Sequence, residues 1–430
     1  MGKSKKKKTG QQNPRGGFKK FVSDLLETLA LLKLNYNLFD LSPRQLRFCY
    51  KSSFRLKNPM RGNDFISSAD VRWVGSIFKY YFRNTYTEVG GCKLTFYQAS
   101  VFLSLCLGTH IYKSKKYGKN DPYVKLLDEI SFLLLKQIVD DFSRACYMGL
   151  LMSNDPVRKY YSMKQGINVN RGKVPRMELE IKLCAYPVLE MSYRINGHRR
   201  LAYRLGHTKM EGMDWVNVSA KKLKKHYSGK KKELPVFIQS HAIIRMVHRL
   251  DLFNNIYLTL QFYLNLNPIS KFVFYRGYIL IPFVIKRIKV GYFMASVVKD
   301  VLLIRTFLFI THSSTPEGDK LKALTGMGKQ DLSYWRIDRI STFYSMKESD
   351  IEGLREIFKE AGVEKLLRIR DINLDGLNSS PNPNLEGLVH FLEMAKENHE
   401  DERQQWEAFL EESLGSVDVL EIKEPERSEK

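Results

Sequence analysis

The chain has 430 residues, 43% hydrophobic and 12% aromatic, which suffices for a packed core and excludes disorder over most of its length. Seventy Lys and Arg face 46 Asp and Glu, a formal charge of +24, so an anionic partner is expected, most simply nucleic acid. The charge is uneven: residues 391–430 hold 13 acids and five bases, a net of −8, which leaves +32 on residues 1–390.

Residues 1–17, MGKSKKKKTGQQNPRGG, are basic and low in complexity and read as a disordered tail. No apolar run follows Met1–Lys8, so no secretory signal is expected. A helical domain is expected over 18–170. FVSDLLETLALLKL, SPRQLRFCYKSSF, SSADVRWVGSIFKYYF and DPYVKLLDEISFLLLKQIVDDF carry its pattern, with Ser42 as an N-cap and Pro43 at the first helical position. The uncharged run Leu94–Tyr112 is long enough to span a bilayer. Its Gln98, Ser100, Ser104, Thr109 and His110 favour a buried helix, and no membrane partner is expected.

Residues 171–233 read as a β-hairpin region and a basic linker. Asn196-Gly197 separates two strand-like runs and signals a type I′ turn, which needs positive φ at both central residues. DWVNVSAKKL suggests a third strand. The linker KKLKKHYSGKKK offers Lys221, Lys222, Lys224, Lys225, Lys230, Lys231 and Lys232 to a phosphate backbone.

Residues 234–330 read as a helix followed by an antiparallel sheet. FIQSHAIIRMVHRLDLF, Phe237–Phe253, is expected to be helical and to continue to about Leu266. At 100° per residue, His241, Arg245, His248 and Arg249 fall on one side, and Ile243, Met246, Val247 and Leu250 on the other. β-Branched and aromatic runs follow, with a tight connection at Lys299-Asp300. The last run, VLLIRTFLFITH, is apolar on both alternating faces and suits a central strand. STPEG, Ser314–Gly318, reads as a turn with a proline-fixed φ. Residues 331–376 form a helical segment with Ser349 or Asp350 as a cap and Gly362 as a breaker, and 377–430 a linker and an acidic helical tail, Leu385–Leu414. The fold class is α+β: a helical N-terminal domain, a central antiparallel sheet module with a packed basic helix, and a helical C-terminal extension.

Five cysteines without a C-x-x-C pair read as free thiols of a reducing compartment, so a cytoplasmic location is expected. No zinc spacing, P-loop, G-x-G-x-x-G or G-x-S-x-G occurs, and neither a metal nor a cofactor is expected.

The helix SHAIIRMVHR, followed by antiparallel strands ending in TFLFITH, resembles the metal-independent endoribonucleases of the barnase–EndoU–colicin–RelE superfamily. The resemblance covers residues 235–325 and rests on His241-Ala242, Arg245 and Arg249. It implies a toxin-type or bacterial defence ribonuclease, with an antitoxin or other protein regulator as a partner. The stretch Leu250–Asn267 is long for such a module.

Cleavage of RNA through its 2′-hydroxyl needs a base near neutral pKa, an acid for the leaving oxygen, and fixed cations around the phosphate. His241 supplies an imidazole, Arg245 and Arg249 supply planar guanidinium donors, and His312 a second imidazole. Thr311 or Thr306 supplies a hydrogen bond; on a regular strand the two face opposite sides, so at most one lines the site. The same helix, with His248, the lysine-rich linker and the tail, equally suits a non-catalytic nucleic-acid-binding protein. A component of a larger assembly, docked through the acidic helix, is a third reading. The two histidines discriminate: an enzyme needs both imidazoles about 6–8 Å apart on one phosphate.

Overall fold

The structure, a computed structural model, describes residues 14–35, 41–170, 176–195, 198–346 and 348–372. Most of the basic tail, the turn pair Asn196-Gly197 and the linker and acidic helix placed over 377–430 lie outside the described residues. The chain is α+β, with helices at both ends of its described length and sheets between them.

Capping side chains start most of the N-terminal helices. α1 (Pro14–Leu31) begins inside the stretch assigned to the tail. α2 (Pro43–Lys51) starts where the sequence placed it: the Ser42 hydroxyl accepts from the Gln45 N–H, and the Gln45 amide oxygen accepts from the Ser42 N–H. Two short strands follow, β1 (Arg55–Leu56) and β2 (Met60–Arg61). Ser67 and Asp70 cap α3 (Ser68–Asn84). A hairpin, β3 (Tyr86–Val89) and β4 (Cys92–Thr95), turns on Gly90 and Gly91, both at positive φ. α4 (Phe96–Tyr117) takes up the uncharged run as a largely buried helix, and no helix among the described residues is long and apolar enough to cross a membrane. Asp121 caps α5 (Pro122–Ser153), whose 32 residues reach about 48 Å.

This half carries more strand than its helical pattern suggested. β5 (Lys159–Asn170) pairs antiparallel along its whole length with β6 (Arg176–Pro187), and β1 and β2 join β6 in parallel. Leu179, Ile181 and Leu183 are buried at period two. β7 (Glu190–Ile195) and β8 (His198–Arg204) form the expected hairpin, with Ile195 opposite His198. The third strand is broken: β9 (Gly206–Lys209) and β10 (Gly212–Trp215) pair with each other, and β11 (Asn217–Ser219) pairs with β12 (Glu233–Ile238). The lysine run is therefore a loop joining two paired strands and not a linker. The Ala220 N–H closes it on the Lys232 carbonyl, Tyr227 donates to Asp300, and His226 stacks on Phe274 with ring centroids 4.7 Å apart.

The expected long helix is three elements. Its start is β12. α6 spans Ser240–Arg249 and α7 Asn255–Leu266, separated because Asn254 accepts from the Tyr257 N–H and caps a new helix. A meander follows: β13 (Val273–Tyr275), β14 (Tyr278–Ile285), β15 (Ile288–Val298) and β16 (Val301–Phe309). Lys299-Asp300 is the tight connection, with Lys299 at φ 56°. The strand order is β13-β14-β15-β16-β12-β8-β7, with β11 also on β12. β16 is central, as its two-sided apolar pattern requires. It lies parallel to β12, so the sheet is mixed and not purely antiparallel. A register shift at Met294/Ala295 bulges β16 and leaves Arg305 unpaired. The opposite-face argument for Thr306 and Thr311 does not apply, because β16 ends at Phe309 and Thr311 lies beyond it. α8 (Pro316–Thr325), α9 (Lys329–Tyr334), α10 (Ile340–Ser345) and α11 (Glu348–Ala361) complete the chain, and Gly362 at φ 79° ends α11 as expected. The side chains of Ser349 and Asp350 lie outside the described residues.

One buried apolar cluster runs from Phe21 to Ile369, so the helices and the sheet share a core. Strands from both 171–233 and 234–330 stand in the same sheet. The five cysteines are free thiols, all buried except half-buried Cys92.

Candidate functional site

α6 begins where β12 stops. The Gln239 N–H donates to the Ile304 carbonyl at 2.9 Å, the last bond holding this segment to β16, and the helix then packs along β16. Ala242, Met246 and Leu250 are buried, Ile243 and Val247 half-buried. His241, Arg245 and His248 are exposed, as the helical spacing required. Ile244 shares their side and is 54% exposed.

β16 ends at Phe309, so Thr311 and His312 occupy the turn after it and not the strand. Thr311 is fully buried, and its hydroxyl donates to the Ile337 carbonyl at 2.8 Å. That proton is committed, which removes Thr311 from the substrate-facing set. His312 is half-buried, and its Nδ1 accepts from the Ser314 N–H at 3.1 Å. The neutral ring then carries its proton on Nε2 and presents a donor outward. Thr315 fixes this turn by donating to the Ile310 and His312 carbonyls and capping α8 through the Gly318 N–H. STPEG is thus a turn feeding a helix, with Pro316 in its first turn. A Cβ on Gly318 would overlap the His312 carbonyl oxygen, so only glycine lets α8 approach the turn this closely.

Cations surround both imidazoles. Burial holds His312 below the usual histidine range, and Arg249 and Lys329 push it lower; Asp338 opposes them and Arg245 adds to them. His241 is lowered by partial burial, then by Arg245 and Arg200. Arg245 therefore acts on both rings, and it makes no ion pair among the described residues. Arg249 differs. It forms an ion pair with Asp338, which is only 7% exposed, and also donates to the Asp338 carbonyl. This guanidinium fastens α6 to the segment after α9 and is not available to a phosphate.

His241 is at the first turn of α6 and Arg249 at its last residue. Eight residues of helix put those backbone positions about 12 Å apart. The lysine loop is elsewhere. Lys221, Lys222, Lys224, Lys225, Lys230, Lys231 and Lys232 are all exposed, but the loop enters β12 at its start and Lys231 pairs with Asp300 at the start of β16. The histidines stand at the other ends of these parallel strands, roughly 20–30 Å away.

No family model, curated protein or solved structure matches this chain. Among the described residues no His, Cys, Asp and Glu group is placed to hold a metal ion. The sequence reading missed Arg200, Lys329 and Asp338. Arg200 reaches His241 from β8, about 40 residues earlier in the chain, and no spacing rule links it to α6. The other two sit in GKQDLSYWRIDR, where a run of Lys, Asp and Arg beside exposed aromatics was the available signal.

Proposed function

We propose that this protein binds nucleic acid through the exposed face of α6, with Arg245 as the central phosphate contact and His241, Arg200, Lys329 and His312 around it. The observation that carries this reading is Arg245: exposed, without an acidic partner among the described residues, and acting on two imidazoles whose pKa values burial lowers first and its charge lowers further. Arg249 engages Asp338, the acid that acts on His312, so Arg245 is open to an outside anion. A bound phosphate supplies it and accepts hydrogen bonds from the guanidinium fork and from the His312 Nε2–H.

The arrangement favours binding over cleavage by two histidines. Cleavage requires a proton for the leaving oxygen, and a neutral His312 whose Nδ1 already accepts a bond is a poor acid. Of the five residues considered for catalysis, His241, Arg245 and His312 remain at the surface of the site, and Arg249 and Thr311 have structural partners.

Arg245→Ala is expected to weaken RNA binding across all sequences and to reduce the salt slope by about one, because one phosphate contact is lost. Filter binding at several salt concentrations measures both. Equal affinity and slope in the variant would contradict the reading. The same RNA, run on a gel in EDTA, tests for chemistry. Intact RNA is expected. Cleavage that disappears in His241→Ala would show that α6 carries a ribonuclease centre.

A further inference from the structure

Beside this face, the short helix α9 ends on two aromatic rings in water. Tyr334 is 80% exposed and Trp335 63%. They meet edge to face, ring centroids 5.3 Å apart and planes at 89°. Exposed large apolar side chains are common singly, but two adjacent rings held at a fixed angle form a surface. The backbone beneath them is anchored: the Trp335 N–H donates to the Asp331 carbonyl, and the Asp331 carboxylate accepts from the Gly328 N–H.

The anchoring continues into the α6 site. Ile337 accepts from Thr311, and Asp338 grips Arg249. Asp338 is three positions after Trp335, a chain reach of at most about 11 Å. Lys329, at the start of α9, already acts on His312. Arg336 is exposed and Arg339 half-exposed. Two rings therefore sit among cations, within a few residues of the clamp that holds α6.

We propose that Tyr334 and Trp335 are a base-stacking platform, and that the protein takes single-stranded nucleic acid, its backbone on α6 and an unpaired base on these rings. This rests on the phosphate-binding reading of α6 and adds the substrate class. Single-strand sites combine a cationic track with exposed aromatic faces, because every base has a face to stack while a duplex hides its own. A lipid surface fits less well. Interfacial membrane binding needs a broad apolar face, and here the rings are flanked by Lys329, Asp331, Arg336 and Arg339.

The test uses the full chain and a fluorescein-labelled single-stranded RNA. A duplex of equal length, inorganic polyphosphate and anionic phospholipid vesicles serve as comparison probes. Wild type is expected to prefer the single strand. Trp335→Ala should lose roughly 5- to 100-fold in single-strand affinity and little for duplex or polyphosphate. Trp335→Phe should retain most of the single-strand affinity, because a ring remains. Trp335 is solvent-exposed, so unchanged melting of the variants is expected and checks that they fold. Unchanged single-strand binding in Trp335→Ala, with Arg245→Ala still impaired, would overturn the platform and leave the phosphate site standing. Loss of vesicle binding alone in Trp335→Ala would reassign the rings to a membrane surface. No binding of any polyanion by wild type would overturn both readings.

Discussion

Asp338→Asn is expected to cost about 3–5 kcal/mol of stability, because it leaves the Arg249 guanidinium largely buried without its counter-charge. The damage should be directional. Arg249 lies at the last turn of α6 and Asp338 in the segment after α9, so the variant unfastens the two pieces that build the site. Thermal melting of the full chain measures the loss. The double variant Arg249→Met, Asp338→Leu should recover most of it, since apolar replacement of a buried pair is often near neutral. Asp338→Asn melting with wild type would mean that the pair does not fasten α6.

Affinity for RNA is expected to fall steeply with salt. The net +32 on residues 1–390 and the exposed lysine loop supply the cations, and only Lys231 of the seven loop lysines meets an acid among the described residues. Binding that neutralises about 6–10 phosphates loses on the order of 10³–10⁵ in affinity between roughly 50 and 200 mM salt. The loop and α6 stand at opposite ends of two parallel strands, so the effect should require an RNA long enough to reach both. An RNA of a few nucleotides should show a much shallower slope. A flat response with long RNA in an anisotropy titration would reject the electrostatic account.

Local rules made much of the fold legible. The Ser42 cap, the hairpin around 196–197, the Lys299-Asp300 turn, the central place of β16 and the stop at Gly362 each follow from a few neighbouring residues. Errors arose where tertiary pairing decided. Residues 233–238 look like the approach to a helix, but they become β12 because β16, β8 and β11 are available as partners. β5 was absorbed into the helical half for the same reason: its partner β6 lies beyond the pattern. At the site, the exposed face of α6 was readable from helical spacing. The fates of Arg249 and Thr311 were not, because Asp338 and the Ile337 carbonyl reach them across 89 and 26 residues of chain.

The most direct measurement is a histidine-resolved NMR titration of the full chain, with and without a short single-stranded oligonucleotide, the two signals assigned through His241→Gln and His312→Gln. In the free protein both rings should titrate below the usual histidine value, since burial and neighbouring cations disfavour the charged form. A group whose folded pKa is depressed binds fewer protons than in the unfolded chain. These histidines therefore favour folding above about pH 6.5, and that contribution is lost as pH falls towards their folded values. A phosphate on Arg245 reverses the local field. Both pKa values should rise on binding, and affinity should increase as pH falls from 7.5 to 6. Two histidines that titrate identically with and without the oligonucleotide, while it binds, would place the nucleic acid elsewhere and contradict the account.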